Sequence, residues 1–167
     1  MKAELLLTAK LTRPKTARLY LPRPKVSALL REGLTRRLTA LIATAGHGKT
    51  TAMAHFLDEV GLPALWIQLD ARDSNLNTFL PYLAVGIREQ LKGGSHLWRA
   101  LEADREVDDP LALIIADLRE CEQDHLLVLD DFHLIDRESP IIPLISGLLQ
   151  YAEERTHLYI CSRTPLP

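Results

Sequence analysis

Four short apolar runs are separated by stretches whose apolar residues recur every three or four positions. The first is Leu38-Thr39-Ala40-Leu41-Ile42, within a strand expected over roughly 37–43. The second, Ala64-Leu65-Trp66-Ile67-Gln68-Leu69-Asp70, is bounded by turn formers. The third, His125-Leu126-Leu127-Val128-Leu129-Asp130, lacks polar alternation, as a parallel strand covered on both faces requires. The fourth is His157-Leu158-Tyr159-Ile160-Cys161.

Helical spacing fills the intervals. Met53, Phe56, Leu57 and Val60 predict a helix over Lys49–Val60, stopped by Gly61 and Pro63. A second helix follows the candidate caps Ser74, Asn75 and Asn77 and buries Leu80, Leu83, Ala84, Ile87 and Leu91. Gly93-Gly94 is expected to end it, and Pro81 fits only near its start or as a kink. Residues 95–108 read as a short helix or a packed loop around Leu97, Trp98 and Leu101. Asp109-Pro110 is a cap and first-turn proline for a helix through Ile114 and Leu118. Ser139-Pro140 opens the last helix, through Leu144, Ile145, Leu148 and Leu149. Upstream, Pro14, Pro22 and Pro24 predict an extended leader over 1–24, followed by a short helix over Lys25–Leu34.

Strands alternating with helices predict an α/β fold: a doubly wound parallel sheet with helices on both faces. The division expected is a basic, proline-containing leader and short helix at 1–36 and a core at 37–167. Four strands are few for this class, and the sequence stops just after the fourth. The core is therefore expected to be truncated there, as an incomplete fragment of a larger protein.

Composition narrows the function classes. No apolar run approaches the ~20 residues of a membrane span, and the amino-terminal run is too short for a signal peptide. Cys121 and Cys161 read as reduced, buried thiols of a cytoplasmic protein. The net charge of −2 conceals a balance of +8 over residues 1–40 and −10 over the remainder. The basic leader has one aromatic, Tyr20, and no helix-turn-helix pattern, which argues against nucleic-acid binding. It is expected to lie against the acidic body or to help hold an anionic nucleotide.

The candidate chemistry begins between the first strand and the helix after it. Ala43-Thr44-Ala45-Gly46-His47-Gly48-Lys49-Thr50-Thr51 stands where strand passes into helix, the setting of a phosphate-binding loop. Gly46 and Gly48 let backbone N–H groups turn inward. Lys49 can reach the β- and γ-phosphates of a nucleotide, and the Thr50 hydroxyl can ligate Mg²⁺. Ala43 stands where the usual pattern has glycine. Asp130-Asp131 ends the third strand, at the sheet edge where ligands of open α/β folds bind. Asp130 suits Mg²⁺, and Asp131 suits orienting or deprotonating a water. Ser162-Arg163 follows the fourth strand, where a guanidinium would sense the γ-phosphate. His47 is expected to face solvent, His133 to be structural or to hydrogen-bond near the site, and Trp66 and Trp98 to be core.

Four segments, LPRPKV, LTALIATAGHGKTT, LLVLDDFHLID and HLYICSRTPLP, together resemble the amino-terminal ATPase module of STAND-class proteins. Within that class they are most similar to the large LuxR-type, MalT-like (LAL) transcription regulators, over nearly the whole chain. The resemblance implies a P-loop NTPase acting as a cytoplasmic switch that binds ATP, self-associates and returns slowly to an ADP state. By motif it assigns phosphate and cofactor binding to Ala45, Gly46, His47, Gly48, Lys49, Thr50 and Thr51. It assigns Mg²⁺ to Thr50 and Asp130, catalysis to Lys49 and Asp131, and sensing to Arg163. Arg23 matches a leader arginine near the nucleotide base. The regions that would bind DNA in such regulators lie outside these residues, so no DNA binding by this piece is expected. Two readings compete. A small-molecule phosphotransferase would share the loop but use a basic lid, whereas residues 132–155 offer only Arg137 and Arg155. A nucleotide-binding scaffold would not hydrolyse at all. A GTPase is disfavoured because no N-K-x-D motif occurs.

Overall fold

The unalternating run at 125–130 becomes an inner strand of a parallel sheet. A computed structural model describes residues 9–15, 21–103 and 107–167. Its strands are β1 (Leu38–Ile42), β2 (Ala64–Gln68), β3 (His125–Asp130) and β4 (Thr156–Ser162), in the spatial order β1-β4-β3-β2. Every residue of β3 and β4 is buried, whereas β1 and β2 lie at the edges. The helices are α1 (Pro24–Glu32), α2 (Lys49–Val60), α3 (Leu76–Gln90), α4 (His96–Glu102), α5 (Pro110–Arg119) and α6 (Ile141–Tyr151).

The period-two pleat sorts the inner strands into two cores. Leu127, Leu129, Leu158 and Ile160 belong to the core that also holds buried residues of α3, α5 and α6. Leu126, Val128, Tyr159 and Cys161 face the other way, in the core with Leu30 of α1 and Met53, Phe56 and Leu57 of α2. This is the doubly wound arrangement the element order predicts. Trp66 is core as expected, and both cysteines are free and buried.

Several local expectations change. Proline at 24 starts α1 one residue early, and a 3₁₀ turn at Gly33–Thr35 replaces its last turn. β1 matches its apolar run and is one residue shorter at each end than the strand expected over 37–43; β2 is shorter than its apolar run, and β4 is one residue longer at each end. Asn75, not Ser74, caps α3, by accepting from Asn77 N. Ser74 instead joins two loops: its hydroxyl accepts from Asp136 N, and its carbonyl accepts from Ser139 Oγ. Pro81 sits inside α3 without ending it. The helix stops through Lys92, at φ 56, rather than through a left-handed glycine. Gly93 and Gly94 serve close approach: a Cβ on Gly94 would lie 2.5 Å from Asp117 Oδ1.

That aspartate explains the segment with the weakest pattern. Residues 96–102 are the helix α4, and Ser95 makes no side-chain cap bond for it. Asp117 of α5, fully buried, accepts from His96 N at 2.6 Å and Leu97 N at 3.0 Å, while its carbonyl accepts from Gly94 N. Trp98 is only partly buried, with the Arg88 guanidinium 4.5 Å from its ring centroid.

The leader does lie against acidic groups where it is described. Lys10 Nζ is 2.9 Å from Asp70 Oδ2 and 2.5 Å from Asp73 Oδ2, and Arg13 pairs with Asp58. Gln90 ties this segment to the sheet: its Oε1 accepts from Trp66 N of β2, and its Nε2 donates to Leu11 O. Of the extended leader expected over 1–24, residues 1–8 and 16–20 lie outside the described residues. Ala9 and Lys10 are helical, because no proline precedes 14 to bar it.

Two outcomes follow. Asp117→Ala removes a buried cap and leaves two N–H groups unpaired, so it should cost roughly 2–4 kcal/mol. The exposed cap of α5, Asp109, which accepts from Ala112 N, should cost only about 1 kcal/mol on the same change. Urea unfolding of both variants decides; equal losses would sink the assignment. The second concerns His125, which is buried with Nδ1 donating to Gln123 O and Nε2 accepting from Thr156 Oγ1. Desolvation is the main cause that holds its pKa below 6.5. The unfolded chain therefore takes up the proton first, and stability falls as pH drops below about 6.5. Urea midpoints from pH 7.5 to 5.5 should fall more steeply for the parent than for His125→Gln.

Candidate functional site

The carboxyl ends of β1, β3 and β4 meet at one pole of the sheet. Ala43 N donates to Ser162 O, which holds the exit of β1 against the end of β4. The chain then curls into the loop 43–48 and enters α2 at Lys49. Gly46 and Gly48 have φ of 79° and 73°, values that a side chain would strain. The loop is thus shaped by its glycines, with the start of α2 and its positive dipole end directed at whatever the loop encloses.

The side chains of the loop bond among themselves. Lys49 Nζ donates to Ala43 O and Thr44 O. His47 is exposed, as expected, and its Nδ1 lies 2.9 Å from Thr44 Oγ1 and 3.2 Å from Ala45 O, so the imidazole also bonds back to the loop. Thr51 is exposed on the first turn of α2 and Ala45 contributes backbone alone. Arg23, just before α1, donates from Nη1 to His47 O at 2.7 Å. A cavity of about 350 Å³ opens beside it, lined by Val26, Leu29, Leu30, Leu41, Ile42 and the loop.

Across the pole, Thr50 Oγ1 donates to Asp130 Oδ2 at 2.8 Å. Asp130 is 1% exposed, and its other oxygen accepts from Asp131 N. Desolvation raises its pKa above 3.8, helped by the charge of Asp131 and opposed by the Thr50 bond and by Lys49. The result is a carboxylate with unmet demand for positive charge, next to a hydroxyl. Both are hard oxygen donors of the kind Mg²⁺ takes together with phosphate and water. Among the described residues, no group of three or more His, Cys, Asp or Glu is arranged to hold a metal by itself.

Asp131 has φ 57°, a left-handed conformation that turns its side chain away from the line of β3. Its Oδ1 is 4.0 Å from Arg163 Nη2 and 3.9 Å from His133 Nδ1. That imidazole nitrogen is buried without a hydrogen-bond partner, and desolvation with the Arg163 charge lowers the His133 pKa. The expectation that His133 belongs near the site fits this position. Ser162 Oγ accepts from Thr164 N and donates to Thr164 O, a turn that carries Arg163 over the same pole. All the candidate residues thus share one end of the sheet. The larger cavity, of about 960 Å³, lies at the opposite end among Arg36, Arg37, Glu122, Asp124, Arg155 and His157, and holds none of them. The sequence pattern gave no sign of the Arg23–His47 bond, because it joins residues 24 positions apart.

No protein-family model matches the chain. The HTH-type transcriptional regulator MalT of Yersinia pestis is 31% identical over 166 residues, which cover 96% of this chain and 18% of the relative. MalT of Vibrio parahaemolyticus is 26% identical over 167 residues, again covering 96% of this chain and 18% of its own length. The chain therefore spans about a fifth of the length of these relatives. Among solved structures, a Walker-type ATPase of Pyrococcus abyssi superposes with a TM-score of 0.62 at 18% identity, over 90% of this chain and 47% of that one. Over the stretch they share, the chain is a homologue of the MalT regulators, and its fold is that of a P-loop NTPase.

Proposed function

We propose that the chain is the ATP-binding, slowly ATP-hydrolysing switch module of a MalT-like transcription regulator. The observation that carries this reading is the 2.8 Å bond from Thr50 to Asp130, which joins loop and strand end into one donor set. ATP, ADP and Mg²⁺ fit that set. When bound, the metal neutralises charge on the β- and γ-phosphates. The chain's own groups would act as follows. Lys49 gives up the Ala43 and Thr44 carbonyls for phosphate oxygens, and N–H groups of Gly46, Gly48, Thr50 and Thr51 line the anion. Thr50 and Asp130 hold the metal. Asp131 accepts a proton from a water, and Arg163, 4.0 Å away, contacts the terminal phosphate and reports its loss. The apolar cavity beside Arg23 would take the base.

The kinase reading finds less support. Arg155 precedes β4 at the far pole and is engaged with Cys121 O and Glu153, so it is not a lid over the loop. Arg137 alone remains of the two basic residues between 132 and 155. Self-association in the ATP state, a cytoplasmic setting and the absence of DNA binding by this piece belong to the same proposal. Among the described residues no helix is long and apolar enough to cross a membrane.

Titration calorimetry with ATP and ADP, and phosphate release, test the reading. Lys49→Ala should weaken binding by at least about a hundredfold, since it removes a charged contact to phosphate. Asp131→Ala should keep ATP affinity within about twofold and lose phosphate release. Unchanged affinity in Lys49→Ala would overturn the site, and phosphate transfer to a metabolite would favour the kinase. Asp130→Asn should uncouple stability from function. The fold raises the Asp130 pKa, so the charged form costs stability once pH exceeds the folded pKa. The neutral amide should therefore raise the thermal midpoint of the nucleotide-free chain at pH 7.5, and abolish the gain in ATP affinity that Mg²⁺ gives.

A further inference from the structure

Arg23 stands 24 residues before the carbonyl it holds. Its guanidinium lies along the loop: a Cβ on Gly48 would meet Arg23 Nη2 at 3.6 Å and Cζ at 3.8 Å. The His47 carbonyl and the Gly48 N–H belong to one planar trans peptide, so they point to opposite sides of it. Fixing the first outward on Arg23 fixes the second inward. The root of the side chain is fixed as well. Arg23 lies between Pro22 and Pro24, stands at the N-cap of α1, and its own carbonyl accepts from Ser27 N at 3.0 Å. Both prolines restrict the backbone before folding, which lowers the entropy lost in holding the arginine on the loop. A guanidinium has five donors, no acceptor and a charge, so its bond to a carbonyl is charge-assisted.

We propose that Arg23 is a positioning residue of the phosphate loop: through the His47 carbonyl it aims the Gly48 N–H at the polyphosphate. This rests on the nucleotide-binding reading above, and it moves the role of Arg23 from the base to the phosphate end. The ligand class it serves is a polyphosphate of any base, or of none. It also couples the segment before α1 to the loop, since anything that shifts the α1 N-terminus shifts the peptide between His47 and Gly48.

The test compares ATP with inorganic tripolyphosphate, which has no base, on the parent chain and on Arg23→Ala. Calorimetry gives the affinities, and the Gly48 amide resonance of the ligand-free chain gives the loop. Arg23→Ala should weaken both ligands by the same factor, roughly five- to tenfold for one charge-assisted bond, and should displace the Gly48 resonance. A loss for ATP without one for tripolyphosphate would overturn the proposal in favour of a base contact. So would unchanged affinities, or an equal loss with an unmoved Gly48 resonance and a shallower salt dependence, which mark a charge acting on phosphate directly. A parent chain that binds neither ligand would overturn the nucleotide reading instead; the Gly48 resonance would then decide separately whether the clamp exists.

Discussion

Thr50 Oγ1 donates to an almost wholly buried carboxylate, and this bond spans 80 positions of sequence to join the start of α2 to the end of β3. It can form only because β3 is an inner strand, covered on both faces, whose last residue emerges at the pole where the loop leaves β1. Burial strengthens the bond and at the same time penalises the charge that accepts it. The site therefore holds an anion that the fold alone does not fully compensate. Lys49 supplies some of the missing charge while its own head is held by loop carbonyls. On the proposed reading, a cation with phosphate would satisfy the same groups better than they satisfy one another.

Much of this was legible because it is written in short range. The strands are apolar runs, and the pleat alone assigns Leu127 and Leu129 to one core and Leu126 and Val128 to the other. The loop is marked by glycines whose φ values need them. The contacts that were not legible share a cause: each joins a polar side chain to distant backbone. Asp117 sits in a helix read only for its apolar residues, yet it caps α4 from twenty positions away. Lys92 is a different case, a local one: it adopts a positive φ where two glycines follow directly, and nothing in its chemistry announces that. Arg23 is one of ten basic residues in the first forty; the resemblance singled it out for the nucleotide base, and only the fold shows its bond to the His47 carbonyl.

The described parts of the leader are tied to the body at separate points. Lys10 is held at the carboxyl side of β2 by Asp70 and Asp73, Arg13 by Asp58 on α2, and Arg23 by the loop itself. Part of the positive charge of the first forty residues is thus met by fixed groups: Lys10 and Arg13 by carboxylates, Arg23 and Arg37 by backbone carbonyls.

Edge strands carry unpaired backbone groups and can recruit foreign strands. On β2 the Trp66 N–H is already engaged by Gln90, whose amide in turn holds the Leu11 carbonyl. The glutamine thus supplies the acceptor that a neighbouring strand would otherwise offer, while its own donor holds residue 11 beside it. Any intruding strand would have to displace this side chain and the leader behind it. Along this edge the residues around Leu11 therefore cover part of what a foreign strand would pair with.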